Sequence, residues 1–391
     1  MIGPEGEARL ERLRLLAMAV SLCFLFLVIT ALVTMLREPY QMDFISYWAA
    51  GKLALAGQAP LAYDFTAHRA VELQATMVAG IPFGYPPAFL AISGPFALLP
   101  YPQAAALWVI LSWAAYAAAV RFWARKAFWP AMAMPPLLIN AITGQAGFLI
   151  AALFIAGMTL LPKRPLLGGI LLGLMVVKPQ LGIVLPFALA AGREWRAFAG
   201  AALSSAGFLL LGLLLFGWPS YQAWLGNAQL YSSVVADGLA GWQRMASVYA
   251  ALRFDGVGAA PAWIAQGFVA VVAVAVACLL WRRTRDPGAR ASALAAATAL
   301  ATPYLFGYDT LLLVMPLVWL LARGRNPALL ALCWALMLFG LMQALGWAAG
   351  PNLRPLVPII LLALTWRETQ LLGLSTSASE AVPEPRLAGT G

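Results

Sequence analysis

Five short polar clusters interrupt an otherwise apolar chain, and each holds side chains able to take part in chemistry. The first is Asp43, in the run Tyr40-Gln41-Met42-Asp43-Phe44-Ile45-Ser46-Tyr47-Trp48 just after the first long apolar stretch. A carboxylate flanked by aromatics at the end of a membrane helix is partly desolvated. Desolvation disfavours its charged form, raises its pKa and makes it a stronger general base. The competing reading is an ordinary hydrated loop acid.

Gly84-Tyr85-Pro86-Pro87 opens a short apolar segment. Its prolines fix the backbone, and its tyrosine offers a hydroxyl to a phosphate or a sugar, or serves only as an interfacial anchor. Asn140 and Gly144-Gln145 lie between two short apolar runs, where amides either bind sugar hydroxyls or join two helices. Lys178-Pro179-Gln180 breaks the apolar stretch from Leu166 to Leu189. An ammonium facing lipid there is costly, so it is expected to face a cavity and meet an anion such as a lipid phosphate, or else to snorkel to the headgroups. Thr302-Pro303-Tyr304-Leu305-Phe306-Gly307-Tyr308-Asp309 links two late apolar runs and adds another acid, or is a structural turn.

The elements that must position these clusters follow from composition. Hydrophobic residues make up 63% of the 391 and charged residues 10%, against about 25% charged in soluble domains. Apolar runs recur along nearly the whole length without the strict alternation of a membrane barrel. The chain therefore reads as an all-α, polytopic integral membrane protein. The net charge of +10 is spread over short loops and does not point to nucleic acid. Cys23, Cys278 and Cys333 lie inside apolar runs and read as small packing residues. One histidine, His68, argues against a histidine-based metal site.

The first apolar run, Leu15 to Met35, is long enough to cross a bilayer and is not directly followed by an A-x-A type cleavage site, so it reads as a retained signal anchor. Arg9, Arg12 and Arg14 precede it and place the N-terminus in the cytoplasm. Further basic clusters recur about every second apolar run, at Arg121/Arg125/Lys126, Lys163/Arg164, Arg193/Arg196, Arg282/Arg283/Arg285/Arg290 and Arg323/Arg325. Spans are expected at roughly 13–36, 103–120, 127–142, 147–161, 165–177, 180–191, 197–217, 262–281, 290–304, 309–322, 327–346 and 354–366. Residues 86–100 are too short and proline-rich for a span and read as a re-entrant or interfacial helix. This topology puts every polar cluster on the outer side.

Two outer loops are long. Residues 37–85 hold Asp43, Asp64, His68 and Glu72, and their stretch 61–79 is mildly amphipathic and could lie flat on the membrane. Residues 218–260 hold Trp218, Tyr221, Trp224, Tyr231, Trp242 and Arg244. Residues 371–391 are Ser-, Pro- and Gly-rich and read as a disordered cytoplasmic tail. Walker, HExxH, GxSxG, CxxC and DxD motifs do not occur.

Asp43-Phe44 with Tyr47, then Tyr85-Pro86-Pro87, then Gly144-Gln145, then Lys178-Pro179 resemble, in this order, glycosyltransferase family 87. These are polyprenol-phosphate-mannose-dependent mannosyltransferases of the GT-C superfamily. The resemblance covers roughly residues 10 to 366. It implies one GT-C-like transmembrane domain over residues 1–370, a bundle of about 11–13 membrane helices with extracytoplasmic loop helices. It also implies a hexosyltransferase of the cell (inner) membrane with its active site outside. The enzyme would move a sugar, mannose by family expectation, from a polyprenyl-phosphate donor to a glycolipid or glycan acceptor, with inversion.

By this resemblance Asp43 is the general base and Lys178 and Tyr85 hold the donor phosphate. Gln145, Asn140, Tyr47 and Asp309 are candidates for sugar or acceptor contacts. The lipid-linked donor is a substrate, and neither a cofactor nor a metal is implied. One departure is visible. The family often carries a histidine in the late outer loop, where this chain has Tyr304, Tyr308 and Asp309. Two other classes are open: a transporter or flippase of lipid-linked sugars, and a non-enzymatic subunit for envelope-glycan assembly. The first would place its polar site near the midplane within internal repeats, and no repeat is evident.

Overall fold

A computed structural model of the protein describes residues 4–380 other than 79 and 325. Arg325 of the last basic cluster and residues 381–391 of the C-terminal tail lie outside the described residues. Among the described residues there are helices, turns and one isolated bridge, Met245 to Phe306, and no strand. The protein is thus an all-α polytopic membrane protein.

Helix α1 (Pro4–Arg37) leads into the first polar segment. There α2 (Phe44–Leu55), a 3₁₀ turn (Ala59–Tyr63) and α3 (Phe65–Glu72) fold together. The expected surface helix over 61–79 is therefore short, and it is not surface-bound along its length: His68 and Glu72 are buried. The segment after Tyr85 makes a 3₁₀ turn (Pro87–Phe89) and α4 (Leu90–Ala97). Eight residues rise only about 12 Å, too little to cross a bilayer. Helix α4 packs on α2 instead, and the chain turns at Pro100 into α5 (Tyr101–Trp123).

The middle of the chain is a set of short helices whose breaks follow their prolines. The expected span 127–142 is α6 (Phe128–Met132) and α7 (Pro135–Thr143). Proline disfavours helical backbone in the residue before it, and Met134 accordingly adopts φ −72°, ψ 126°. Then follow α8 (Gly147–Leu160) and α9 (Pro165–Gly173), the latter tightening to 3₁₀ over Leu174–Val177. Next come α10 (Pro179–Gly182) and α11 (Leu185–Ala191). Helix α12 (Trp195–Ala236) turns sharply at Gly217, φ 72° and ψ 167°, so the first half of the expected loop 218–260 is helical.

The C-terminal part contains α13 (Val248–Phe254), α14 (Ala259–Arg283), α15 (Pro287–Ala301), a 3₁₀ turn (Gly307–Leu313) running into α16 (Val314–Ala322), and α17 (Pro327–Ala344). Helix α18 (Leu356–Glu380) continues into the stretch whose composition read as a disordered tail.

Five described helices are long and apolar enough to cross a membrane: Glu11–Arg37, Tyr101–Trp123, Trp195–Ser233, Ala259–Arg283 and Pro327–Ala344. The shorter apolar helices lie against them. Helix α9 lies very close to α12, where a Cβ on Gly169 would collide with the Ala197 carbonyl and one on Gly173 with the Ala201 carbonyl. Small residues let membrane helices pack backbone to backbone, and hydroxyls then bridge them. Ser204 and Ser205 donate across the seam to Ile170 O and Gly173 O.

The two ends of the bundle differ in chemistry. At one end Glu194 receives Arg285 and Arg290, and Arg323 meets Asp286 and Glu368. The other end gathers Asp43, Tyr85, Gln145, Lys178 and Asp309, the residues of the sequence clusters.

Candidate active site

Asp43 stands at the start of α2 with its backbone already helical, φ −59° and ψ −23°. An aspartate at a helix start commonly accepts a hydrogen bond from the first turn. Asp64 and Asp286 do so, receiving Ala67 N and Ala289 N at 2.7 Å each. Asp43 makes no such bond. Its Oδ2 instead accepts from Gln145 Nε2 at 2.9 Å. The carboxylate therefore turns toward Gln145 rather than toward its own helix, and it keeps partial solvent access.

Gln145 reaches Asp43 because Gly144 ends α7 in the left-handed region, φ 66°. Any Cβ at Gly144 would be strained by that φ and would meet Phe44 Cβ at 2.7 Å. The Trp108 indole pins the same turn by donating to Gly144 O at 2.8 Å. The orientation of the Gln145 amide is fixed from behind. Tyr47 donates to its Oε1 at 2.6 Å, Tyr85 does so at 3.1 Å, and the two hydroxyls lie 2.5 Å apart. With Oε1 occupied by phenolic donors, only the NH₂ group can point at Asp43. Tyr85 stacks on Phe89 at 4.4 Å, and Tyr47 meets Phe89 and Trp108 edge-on.

This setting acts on the Asp43 proton. Burial raises its carboxyl above the usual aspartate range. The Gln145 hydrogen bond and the charges of Arg244 and Lys178 oppose that rise without cancelling it. Burial also pushes the Tyr85 hydroxyl well above its ordinary pKa, so it stays a neutral donor.

Lys178 projects from the break between the 3₁₀ turn Leu174–Val177 and α10. Its Nζ lies 2.7 Å from Asp309 Oδ1, with both residues buried. It also sits 4.5 Å from the centre of the Tyr308 ring and 5.8 Å from that of Tyr85. Thr302 Oγ1 donates to Gln180 O at 3.1 Å and ties the Lys178 break to the end of α15. Asn140 is fully buried and donates to Pro136 O at 2.9 Å and Tyr308 O at 2.8 Å. It joins α7 to the Tyr308-Asp309 segment, the helix-joining alternative read from sequence.

All seven residues singled out in the sequence thus belong to one connected cluster. It is drawn from α2, the segment before α4, α7 and the turn after it, the Lys178 break, and the 3₁₀ turn before α16. Two relationships were not legible in the chain. One is the pairing of Lys178 with Asp309, 131 positions apart. The other is Arg244, an exposed residue of the 3₁₀ turn Trp242–Arg244 whose charge reaches Asp43. In the sequence it was one of several aromatic and basic residues of a long loop. Among the described residues no three His, Cys, Asp or Glu side chains converge.

A family model of glycosyltransferase family 87 matches residues 83–303, more than half of the chain. No curated protein and no solved structure gives a significant match. The matched stretch contains Tyr85, Asn140, Gln145 and Lys178, while Asp43, Tyr47 and Asp309 join them through the contacts above. The chain belongs to glycosyltransferase family 87 and is a membrane glycosyltransferase.

Proposed function

We propose that this enzyme transfers a hexose, mannose by family expectation, from a polyprenyl-phosphate-sugar donor to a hydroxyl of an extracytoplasmic glycolipid or glycan, with inversion at the anomeric carbon. Asp43 is the general base. The observation that carries this reading is the orientation of its carboxylate: no helix-capping bond, one bond from a locked amide, and burial that raises its proton affinity. A base with a raised pKa accepts a proton more readily when an acceptor hydroxyl attacks. The acceptor O–H proton passes to Asp43, the acceptor oxygen bonds the anomeric carbon, and the sugar–phosphate C–O bond breaks. The polyprenyl phosphate departs carrying the extra negative charge.

A lipid-linked donor is favoured by a second feature. An apolar groove of about 260 Å³ runs between α9, α10, α11 and α12, lined by Leu172, Val176, Pro179, Ile183, Leu185 and Phe198. Pro179 in its lining directly follows Lys178 in the chain. A polyprenyl chain fits such walls, and a nucleotide does not. The Lys178–Asp309 pair, with Tyr308 and Tyr85 around the ammonium, is a neutral polar floor beside the groove. We read Tyr47, Gln145 and Tyr85 as lining the sugar pocket, and Asn140 as holding Tyr308 and Asp309 in place. The basic end of the bundle then lies in the cytoplasm and the site outside, in the cell membrane.

The test is sugar transfer by purified protein in nanodiscs, comparing polyprenyl-phosphate-mannose with nucleotide sugars. Transfer from the lipid donor alone, reduced roughly 10²–10⁴-fold in Asp43→Asn, is the expected result. Transfer from nucleotide sugars, or an Asp43→Asn protein at wild-type rate, overturns the donor class or the base respectively. Movement of labelled lipid across vesicles without any glycosidic product would favour a flippase.

A further inference from the structure

The turn Trp242–Arg244 is held by two buried polar side chains, Asn352 and Arg354. Asn352 Nδ2 donates to Met245 O at 2.9 Å and to Trp242 O at 3.4 Å. The Arg354 guanidinium donates to Gln243 O, and its Nε donates to Asn352 Oδ1 at 3.0 Å. On the other side, Met245 bridges Phe306, and Ala246 N donates to Leu305 O at 2.7 Å. Carbonyls on both sides of Arg244 are therefore gripped from the segment before α18. The backbone after it is stitched to the segment that carries Tyr308 and Asp309.

A buried arginine is costly unless its donors are used. Arg354 is buried, forms no ion pair among the described residues, and burial lowers its pKa to about 10. Its hydrogen bonds to Gln243 O and Asn352 Oδ1 fix this turn. The one charged side chain the turn presents is Arg244, which is exposed and forms no ion pair with a carboxylate among the described residues. Its charge acts on Asp43. The other cation of the site, Lys178, is already neutralised by Asp309. Phosphate needs a donor that is both charged and unengaged, and the planar guanidinium fork binds it with two parallel bonds.

We infer that Arg244 is the residue that receives the anionic phosphate of the lipid-linked donor, held in place by Asn352 and Arg354, and that Lys178 positions the floor beneath it. This inference rests on the lipid-donor reading above. When the sugar–phosphate C–O bond breaks, the bonding pair stays on the phosphate oxygen, and a phosphodiester becomes a phosphomonoester. Arg244 faces the oxygens on which that charge grows, so its attraction is stronger after bond cleavage than before.

The experiment measures binding of undecaprenyl phosphate, undecaprenol and inorganic phosphate to wild type, Arg244→Gln and Arg244→Lys in nanodiscs. Thermal unfolding of each variant serves as the check on folding. The expected result is that wild type prefers the lipid phosphate over the neutral lipid. Arg244→Gln should lose that preference by roughly tenfold or more with polyprenol binding and melting unchanged, and lysine should restore part of it. Equal preference in wild type and Arg244→Gln overturns the role of Arg244 while leaving the donor reading intact. Absence of any preference in wild type overturns the donor reading and this one with it. Inorganic phosphate that binds as tightly as the lipid phosphate overturns the lipid source and leaves a site for a soluble anion.

Discussion

Lys178 Nζ lies 2.7 Å from Asp309 Oδ1, inside the protein and under the rings of Tyr85 and Tyr308. Removing one partner of a buried pair strands the other charge, at a cost of about 3–5 kcal/mol, whereas removing both is far cheaper. Lys178→Met and Asp309→Leu should each lower the unfolding temperature strongly, and the double variant should recover most of the loss. Thermal unfolding in nanodiscs for the four proteins of this cycle is the measurement. A double variant as unstable as the sum of the singles would show that the two charges do not compensate each other.

The sign of the pH dependence follows from the groups around Asp43. Its folded pKa is raised by burial, so the carboxyl binds a proton more readily in the native state than in the unfolded chain. A base works only when deprotonated. Activity should therefore rise with pH through a limb above the ordinary aspartate value of about 3.9. The stability linked to this group is greatest when it is protonated and declines as pH rises from the unfolded to the folded value. Gln145 opposes the upward shift, so Gln145→Leu should move the acidic limb of kcat/KM to higher pH. A pH–rate profile with an unmoved limb would show that Gln145 does not touch the proton-accepting group.

Much of this architecture is legible in the chain because two signals are local. Apolar runs and the arginines between them mark the helices, and prolines mark the breaks. Met134 before Pro135-Pro136 and Lys178 before Pro179 are both breaks that a rule about proline reads directly. The candidate residues stand out because polar groups in apolar runs are rare. Their roles were less legible. Asn140 carries the same amide as Gln145, five positions away, yet one joins backbone segments and the other faces the carboxylate. The left-handed turn at Gly144 separates them, and only the folded neighbours decide which way each amide points. The Lys178–Asp309 pair and the clamp on Arg244 arise from long-range contacts that no local spacing encodes.

Asn140 offers a way to separate structure from chemistry at the site. Its Nδ2 donates to Tyr308 O, and a leucine there takes this donor from that carbonyl and removes the link between α7 and the Tyr308-Asp309 segment. Asn140→Leu should cost about 1–3 kcal/mol of stability. It should lower kcat through displaced Tyr308 and Asp309, while the acidic limb of the pH profile stays in place because Asp43 and Gln145 are untouched. Unfolding and pH–rate profiles of the same preparation are the check. A shifted limb would place Asn140 in the proton-transfer network.

The apolar groove gives the sharpest test of donor class, because one of its walls can be filled without a clash. A Cβ at Gly182 meets nothing within 4 Å, and Gly182 lines the groove with Pro179, Ile183 and Phe198. Gly182→Phe should therefore fold normally and occupy space that a long isoprenoid would use. Side chains inserted into a packed core cost stability, but one placed in an open groove does not. The expected outcome is a raised KM for donors with long polyprenyl chains and little change for a donor with one or two isoprene units, at unchanged melting temperature. The measurement is steady-state transfer across a series of donor chain lengths. Equal loss for short and long donors would mean that the phenylalanine disturbs the reaction centre, and no loss for any would place the lipid chain elsewhere on the protein.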